Sequence, residues 1–416
     1  MNILMLGRWV PPPRRPVRAM REYRFARQLL SRSHRLTLAF VTDNPDTAGP
    51  ISALRSEFGD LEFAAVPRAW KSLTGAVSLA TGESCTLSYF RSEALRTRLG
   101  DRMRRTPYDL VCVSSSSMIQ YALAIDETIP LVVDFGEVDS QWWLQRALRG
   151  SFPSIRFFRT EAARLRAAEA AAARRATRCL AASQEAAEIV KRFAPGVEMA
   201  VVPNGLEVDN VPGPLWRSNW RAKTPTVVLN TMLEREMDLR DAIEFHDTVM
   251  PLLRERVPGV RLRIVSREPS SVPVGNALAG AEVTASVADP VPLLQQATVA
   301  VAPLRHGRDI QRSVLEPMAV GLAVVATSVA RQRLERAGGE ELLVADEPKD
   351  LARKIADLLL DEGARTELGA RGQGFVAEHH SWSRMASQFV RLVEAVKQPS
   401  APHSGPATEP LARAQL

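Results

Sequence analysis

Val299-Ala300-Val301-Ala302-Pro303-Leu304-Arg305-His306-Gly307-Arg308-Asp309-Ile310-Gln311-Arg312-Ser313-Val314-Leu315-Glu316-Pro317-Met318-Ala319-Val320-Gly321-Leu322-Ala323-Val324-Val325-Ala326 is the stretch whose reading decides the fold. Val299 to Ala302 is apolar without alternation, as a parallel strand covered on both faces requires. A polar loop follows, a helix starts near Gln311 to Ser313, and Gly321 to Ala326 reads as a further strand. Strand, crossover helix and strand make a βαβ unit, whose ligands gather outside the carboxyl ends of the strands. The free amides and dipole at the helix start suit a diphosphate. Arg305, Arg308 and Arg312 put three cations around that point, although each alone also reads as surface. Glu316, about one turn into the helix, reads either as a solvated carboxylate or as an acceptor for the two hydroxyls of a ribose.

Working outward, the same alternation fills the chain. Asn2 to Leu6 is an apolar strand ended by Gly7, and a helical pattern runs from Met20 to Leu30. Leu36 to Val41, Leu110 to Val113 and Ile129 to Phe135 are strands that end in polar loops. Ile155 to Thr177 is a long alanine and arginine helix of high propensity. Cys179 to Ala182 follows as a strand, with Ser183 placed to cap the next helix. Met199 to Val202 is one more strand, turning at Pro203-Asn204-Gly205, and the polar stretch Glu207 to Thr224 reads as a linker. Strands then recur at Thr226 to Leu229, Val260 to Val265, Ala281 to Val287 and Glu341 to Val344. Helices are predicted at Leu239 to Arg256, around Leu293, at Pro348 to Asp361, at Ala364 to Glu378 and at Ser383 to Val396.

This predicts an α/β chain of two doubly wound, Rossmann-like domains facing a central cleft. The expected bounds are 1–210, 211–382, a helix over 383–397 returning to the first domain, and a disordered tail over 398–416. The 416 residues, 45% hydrophobic and 24% charged, exclude a fibrous or wholly disordered protein and suit two cores. No run approaches the roughly 18 apolar residues of a spanning helix, and no basic leader precedes Gly7. The expectation is a cytoplasmic protein, with peripheral attachment to the inner face of a membrane as its second setting. Three cysteines, Cys85, Cys112 and Cys179, offer neither a disulfide framework nor a CxxC metal site. The net charge of +7 admits nucleic acid, anionic lipid or a phosphorylated substrate as partner, but no nucleic-acid module accompanies the arginines.

The stretch Val299 to Ala326, with Val202-Pro203-Asn204-Gly205 and Ser381-Trp382, resembles the GT-B glycosyltransferases, in particular retaining family 4 (group 1), over most of the chain. A narrower resemblance is to the sugar transferases of exosortase and exopolysaccharide loci. It rests on Val133-Asp134-Phe135-Gly136-Glu137-Val138-Asp139-Ser140-Gln141-Trp142-Trp143 and on Pro303-Leu304-Arg305 with Val314-Leu315-Glu316. The resemblance implies transfer of a sugar, with retention, from a nucleotide-diphosphate donor to a hydroxyl acceptor: a glycan, a lipid-linked sugar or a natural product. It implies Asp139, Arg305 and Glu316 as catalytic residues. Donor contacts fall on Arg235, Arg267, Arg308, Gln311, Arg312, Ser313, Val314, Leu315 and Glu316. No tightly bound cofactor and no metal are expected, the leaving diphosphate being stabilised electrostatically.

Departures from the family pattern are concentrated where backbone meets ligand. Val17, Asn230, Ser266 and, approximately, Ala285 stand where the family has glycine, and Met232 and Met237 near where it has a phosphate-binding arginine and lysine. Ser313 replaces a lysine, which Arg312 could compensate. These changes imply a divergent donor site: either an altered pocket or a homologue that no longer catalyses and serves as partner or scaffold. Epimerisation of a nucleotide sugar is a third reading, without a clear set of acid and base residues.

On the acceptor side, Asp134, Glu137, Asp139 and Ser140 follow one strand and Ser114 to Ser117 its neighbour. Asp139 reads as orienting an acceptor or stabilising oxocarbenium charge, or equally as the cap of a helix starting at Ser140. Trp142 and Trp143 read as packing, and His379 and His380 as helix-terminus cations or surface residues. Arg15, Arg18, Arg21, Arg24 and Arg27 recur every third residue; the face they form is either solvated or, through Arg15, Arg18 and Arg21, in contact with an anionic membrane or a lipid-linked acceptor.

Overall fold

β1 (Asn2–Leu6) lies between β2 (Arg35–Thr42) and β4 (Leu110–Ser114), and its last four residues are fully covered. In the computed structural model, residues 1–9, 20–43, 48–66, 78, 81–149, 154–206, 208, 214, 224–231, 236–266, 277–287, 289–304, 310–332, 334 and 339–396 are described. The first sheet has seven parallel strands in the order β3-β2-β1-β4-β5-β6-β7, with β3 at Leu61–Ala65, β5 at Leu131–Asp134, β6 at Arg178–Ala181 and β7 at Met199–Val201. The second has six parallel strands in the order β10-β9-β8-β11-β12-β13. These are β8 (Thr226–Thr231), β9 (Arg261–Ser266), β10 (Glu282–Thr284), β11 (Val299–Ala302), β12 (Val324–Ala326) and β13 (Leu343–Val344). Each order reverses once, between β1 and β4 and between β8 and β11, and loops leaving the carboxyl ends at such a switch point part to leave room for a ligand.

Two compact units result: Met1–Pro203 with Ala386–Leu416, and Asn204–Met385. The amphipathic helix Trp382–Ala395 begins in the second unit, and from Ala386 it is packed into the first. There Phe389 stacks on Phe25 at 4.1 Å, Gln388 donates to the Val201 carbonyl at 2.9 Å, and His34 meets Glu394 at 3.0 Å. Two sequence landmarks also meet within the second unit. Leu206 N–H donates to the His380 carbonyl at 2.7 Å, Trp382 N–H returns to Leu206 at 3.1 Å, and a Cβ on Gly205 would lie 2.6 Å from Trp382 Cα. Only glycine fits there.

The apolar strands fall where the sequence places them, and Ser183 caps its helix by accepting from Ala186 N–H at 3.1 Å. Differences have local causes. Gly321 belongs to the end of the helix Ile310–Val320, at φ 87°, as a left-handed terminus requires, so β12 begins only at Val324. The helix predicted over Leu239 to Arg256 is two, Glu236–Thr248 and Met250–Arg256, because Pro251 lacks the N–H that would continue the first. Ala48–Phe58, β3, Cys85–Tyr89 and Glu93–Arg105 have no counterpart in the sequence reading; β3 is an edge strand of half-buried residues without a strong apolar run. The predicted tail from 398 and most of the predicted linker lie outside the described residues, as do Arg15, Val17 and Arg18.

Candidate functional site

In the second unit, β11 leads through its loop into the helix Ile310–Val320, whose inner face is buried: Ser313, Val314, Leu315, Glu316 and Met318 are covered. The side chains of Val314 and Leu315 lie in the core, so the donor contacts expected of them would be made by their backbone. Glu316 sits against the switch point. Its Oε2 accepts from Asn230 Nδ2 at 2.9 Å, from the carboxyl end of β8, and its Oε1 accepts from Arg312 Nε at 2.5 Å. The pair is asymmetric: the Glu316 side chain is 7% exposed and Arg312 43%. Arg312 is also a cation in the first turn of its helix, where the dipole opposes it, so it needs an anion to face. Asn230, predicted only as a lost glycine, is thus the partner of the key carboxylate.

The carboxyl ends of β8 and β9 add buried hydroxyls, Thr231 and Ser266; the Thr231 Oγ1 is covered and has no hydrogen-bond partner among the described residues. Arg235, Arg267, Arg305 and Arg308 lie outside the described residues, as do Met232, Asp309 and the side chains of Gln311 and Met237.

In the first unit, β1, β4 and β5 deliver Gly7, Ser114 and Asp134 to neighbouring positions at the switch point, and Ser114 and Asp134 are paired across β4 and β5. A Cβ on Gly7 would lie 2.7 Å from Ser114 Oγ. Ser115 is held at φ 75°, a conformation disfavoured outside glycine and common where backbone serves a site. Asp139 is the first residue of the helix Asp139–Arg149, not the cap of one starting at Ser140. Its Oδ2 accepts from Ser116 N–H at 3.1 Å, across to the end of β4. Burial pushes the Asp139 carboxyl up, against the bonds from Ser116 and the field of Arg8, which hold it down.

Behind it lies a carboxylate that sequence reading passed over. Glu169, fully buried on the helix Ser154–Arg175, accepts from Ser116 Oγ at 2.7 Å, Ser140 N–H at 3.1 Å and Ser140 Oγ at 2.5 Å. Burial raises its carboxyl to about 6 although those bonds pull it down. Glu161, two turns earlier and 1% exposed, accepts from Ser84 Oγ at 2.6 Å, Cys85 N–H at 2.7 Å and Thr86 N–H at 2.9 Å, fixing the start of the helix Cys85–Tyr89. Both lie on the covered stripe with Ala162, Leu165, Ala172 and Ala173. That helical period was the available signal.

Three expectations are corrected here. Arg21 is no membrane contact: its side chain is 10% exposed, it binds both Asp134 oxygens, at 2.8 and 3.2 Å, and it lies over Phe25 at 4.5 Å. Trp142, read as packing, is only half covered, 50% exposed, with Trp143 and Arg146 against it. His380 does end the helix Glu362–His380, but it is buried at 3%, beside Phe375 at 5.3 Å, and is not a surface residue. Among the described residues no group of three or more His, Cys, Asp or Glu is arranged to hold a metal ion, and no helix is long and apolar enough to cross a membrane.

Residues 233–361 match the family model for glycosyl transferases group 1. Among curated proteins the sequence has no match. Solved structures align along nearly the whole chain. Sucrose-phosphate synthase from Thermosynechococcus elongatus is 13% identical, with 95% of this chain and 99% of that one covered and a TM-score of 0.59. HepE of Anabaena, in complex with UDP, is 15% identical over 95% and 100% of the two chains, with a TM-score of 0.57. A glycosyltransferase from Rickettsia africae is 11% identical over 96% and 99%, with a TM-score of 0.60. At these identities the likeness establishes architecture: the chain has the α/β GT-B fold, with two parallel-sheet Rossmann-like halves.

Proposed function

We propose that the protein is a retaining glycosyltransferase that takes a sugar from a nucleotide-diphosphate donor bound by the second unit and passes it to a hydroxyl acceptor bound by the first. The observation that carries the reading is the setting of Glu316. It is a buried carboxylate at the β8–β11 switch point, inside the segment that matches glycosyl transferases group 1, with its oxygens on donors that a ribose diol can join or replace. Arg312 then turns from Glu316 to the diphosphate, the second anion within reach of the same helix start. Arg305, Arg308, Arg235, Arg267, Gln311 and Ser313 are assigned to the diphosphate and nucleoside as part of the same proposal. In the reaction the bond from the anomeric carbon to the diphosphate oxygen breaks, the electron pair leaving with the diphosphate. The acceptor oxygen bonds the same face, and its proton passes to a departing phosphate oxygen. Asp139, held in place by Ser116, is assigned to the developing positive charge of the sugar. The donor is used without a tightly bound cofactor or metal. A lipid-linked acceptor, met at the inner face of a membrane, is the acceptor class we favour.

HepE is in complex with UDP, which makes UDP the first nucleotide to test. Thermal-shift titration with UDP, GDP and dTDP should find one that stabilises the protein by about 2.7 kcal/mol at a hundredfold excess over Kd, a rise of about 5–10 °C. Glu316→Ala should remove the shift. Incubation with the matching sugar nucleotide, followed by NMR of the anomeric proton in the product, tests transfer and retention together. A specific observation favours a second reading, a non-catalysing homologue: Glu316 is already satisfied by Asn230 and Arg312. Absence of a shift with all three nucleotides at millimolar concentration would select it.

A further inference from the structure

Between Gln141 and Thr160 the sequence carries five aromatic residues, Trp142, Trp143, Phe152, Phe157 and Phe158, and four arginines, Arg146, Arg149, Arg156 and Arg159, without one Asp or Glu. In a chain that is 6% aromatic and nearly balanced in charge, this concentration is unusual. The fold brings the described members together on the facing helices Asp139–Arg149 and Ser154–Arg175. Trp142 and Trp143 meet edge to face at 4.9 Å, and Trp143 lies 6.1 Å from Phe157 and 5.7 Å from Phe158. Arg146 spans the cluster, 4.9 Å from the Trp142 ring and 5.2 Å from Phe158. Trp143 anchors it inward, its Nε1 donating to Thr86 Oγ1 at 3.2 Å. The outer members stay in water: Trp142 is 50% exposed and Phe157 36%, and Arg146, Arg156 and Arg159 are exposed. The first acid beyond the stretch, Glu161, is 1% exposed with both carboxylate oxygens turned to Ser84, Cys85 and Thr86, so it does not offset the arginines.

We infer that this aromatic and arginine face docks the first unit on an anionic phospholipid surface. Rings with one wet edge settle at the depth of lipid headgroups, and guanidinium groups beside them pair with lipid phosphates. The one-signed charge selects an anionic bilayer, within about a Debye length of which each cation adds to the attraction. The inference gives the lipid-linked acceptor reading its surface, yet needs neither nucleotide nor catalysis, so it stands or falls separately.

The test is co-sedimentation of the full chain with vesicles of phosphatidylcholine alone or with 30–40% phosphatidylglycerol, a fraction of about one lipid in three chosen to reach a strong surface potential. Binding to the anionic vesicles only, weakened by salt, is expected. Trp142→Ser with Phe157→Ser, and separately Arg156→Glu with Arg159→Glu, should each reduce partitioning by about tenfold or more. Each variant should retain the wild-type nucleotide shift and circular dichroism, which guards against misfolding. No binding to anionic vesicles overturns the proposal, as does equal binding by wild type and both variants. So does a concentration-dependent dimer that these substitutions abolish, since the face would then belong to a second copy of the chain.

Discussion

Glu169 and Glu316 are both buried carboxylates behind a switch point, one in each unit, and they are satisfied in opposite ways. Glu169 takes three bonds from neutral donors, two hydroxyls and a backbone amide, all from residues that are themselves buried. Among the described residues, Glu316 takes a bond from a buried amide and another from a guanidinium that is 43% exposed. The first arrangement has no member that can leave without stranding a polar group, so it fixes the loop ends that carry Ser116, Asp139 and Ser140. The second has a partner that can swing into water, so the carboxylate can exchange it for a ligand. Permanence and exchange are therefore distinguished by what donates, not by how deeply the acceptor lies.

The most damaging way to probe that contrast is to remove the clamp. Glu169→Ala should lower stability by about 3 kcal/mol, since Ser140 N–H and two hydroxyls lose their acceptor in a dry site, and calorimetry should find the corresponding fall in Tm. Glu316→Ala should cost well under half as much stability but reduce donor affinity or kcat/KM about 100-fold, two charge-assisted bonds being lost with ligand bound. Equal stability losses in the two variants would erase the distinction.

A finer probe uses pH. The Glu169 carboxyl, at about 6, lies above its ordinary 4.5, so its contribution to stability is fully present below pH 4.5 and is lost as pH rises through 6. The stability difference between wild type and Glu169→Gln, measured by urea unfolding at pH 4.5 and pH 7.5, should therefore shift by about 2 kcal/mol against wild type at the higher pH. A difference independent of pH would mean that the carboxyl is not perturbed. The smallest effect belongs to Asn230→Ala. Freeing one Glu316 oxygen should change nucleotide affinity by only about three- to tenfold, read by calorimetric titration, the sign telling whether Asn230 competes with the nucleoside or orients the carboxylate for it.

Much of this was legible beforehand because parallel strands announce themselves. Asn2 to Leu6, Leu110 to Val113 and Val299 to Ala302 can only be covered strands, and once they alternate with helices the doubly wound sheets follow. Glu316 was legible because it sits one turn past a strand-loop-helix junction. β3 was not, for an edge strand needs no apolar run. Glu161 and Glu169 were obscured by composition: in a helix of alanine and arginine an acid reads as a surface ion-pair partner, and the weak period they share with Ala162, Leu165, Ala172 and Ala173 was the sequence signal that they face inward. Arg21 misled for the complementary reason. Its spacing from Arg15 and Arg18 suggested a solvated face, while its partner, Asp134, lies more than a hundred residues away.

The contact of Gly205 with Trp382 has a further consequence. The chain enters the second unit at Asn204 and leaves it at Met385, and the bonds between Leu206 and the segment His380–Trp382 hold entry and exit side by side. In topological terms that unit is a cassette spliced into the first, closed at its base like a drawstring bag. A cassette whose ends already touch is the kind of module that can be exchanged between chains, or cut free at those two points, without redrawing the strand order of what remains.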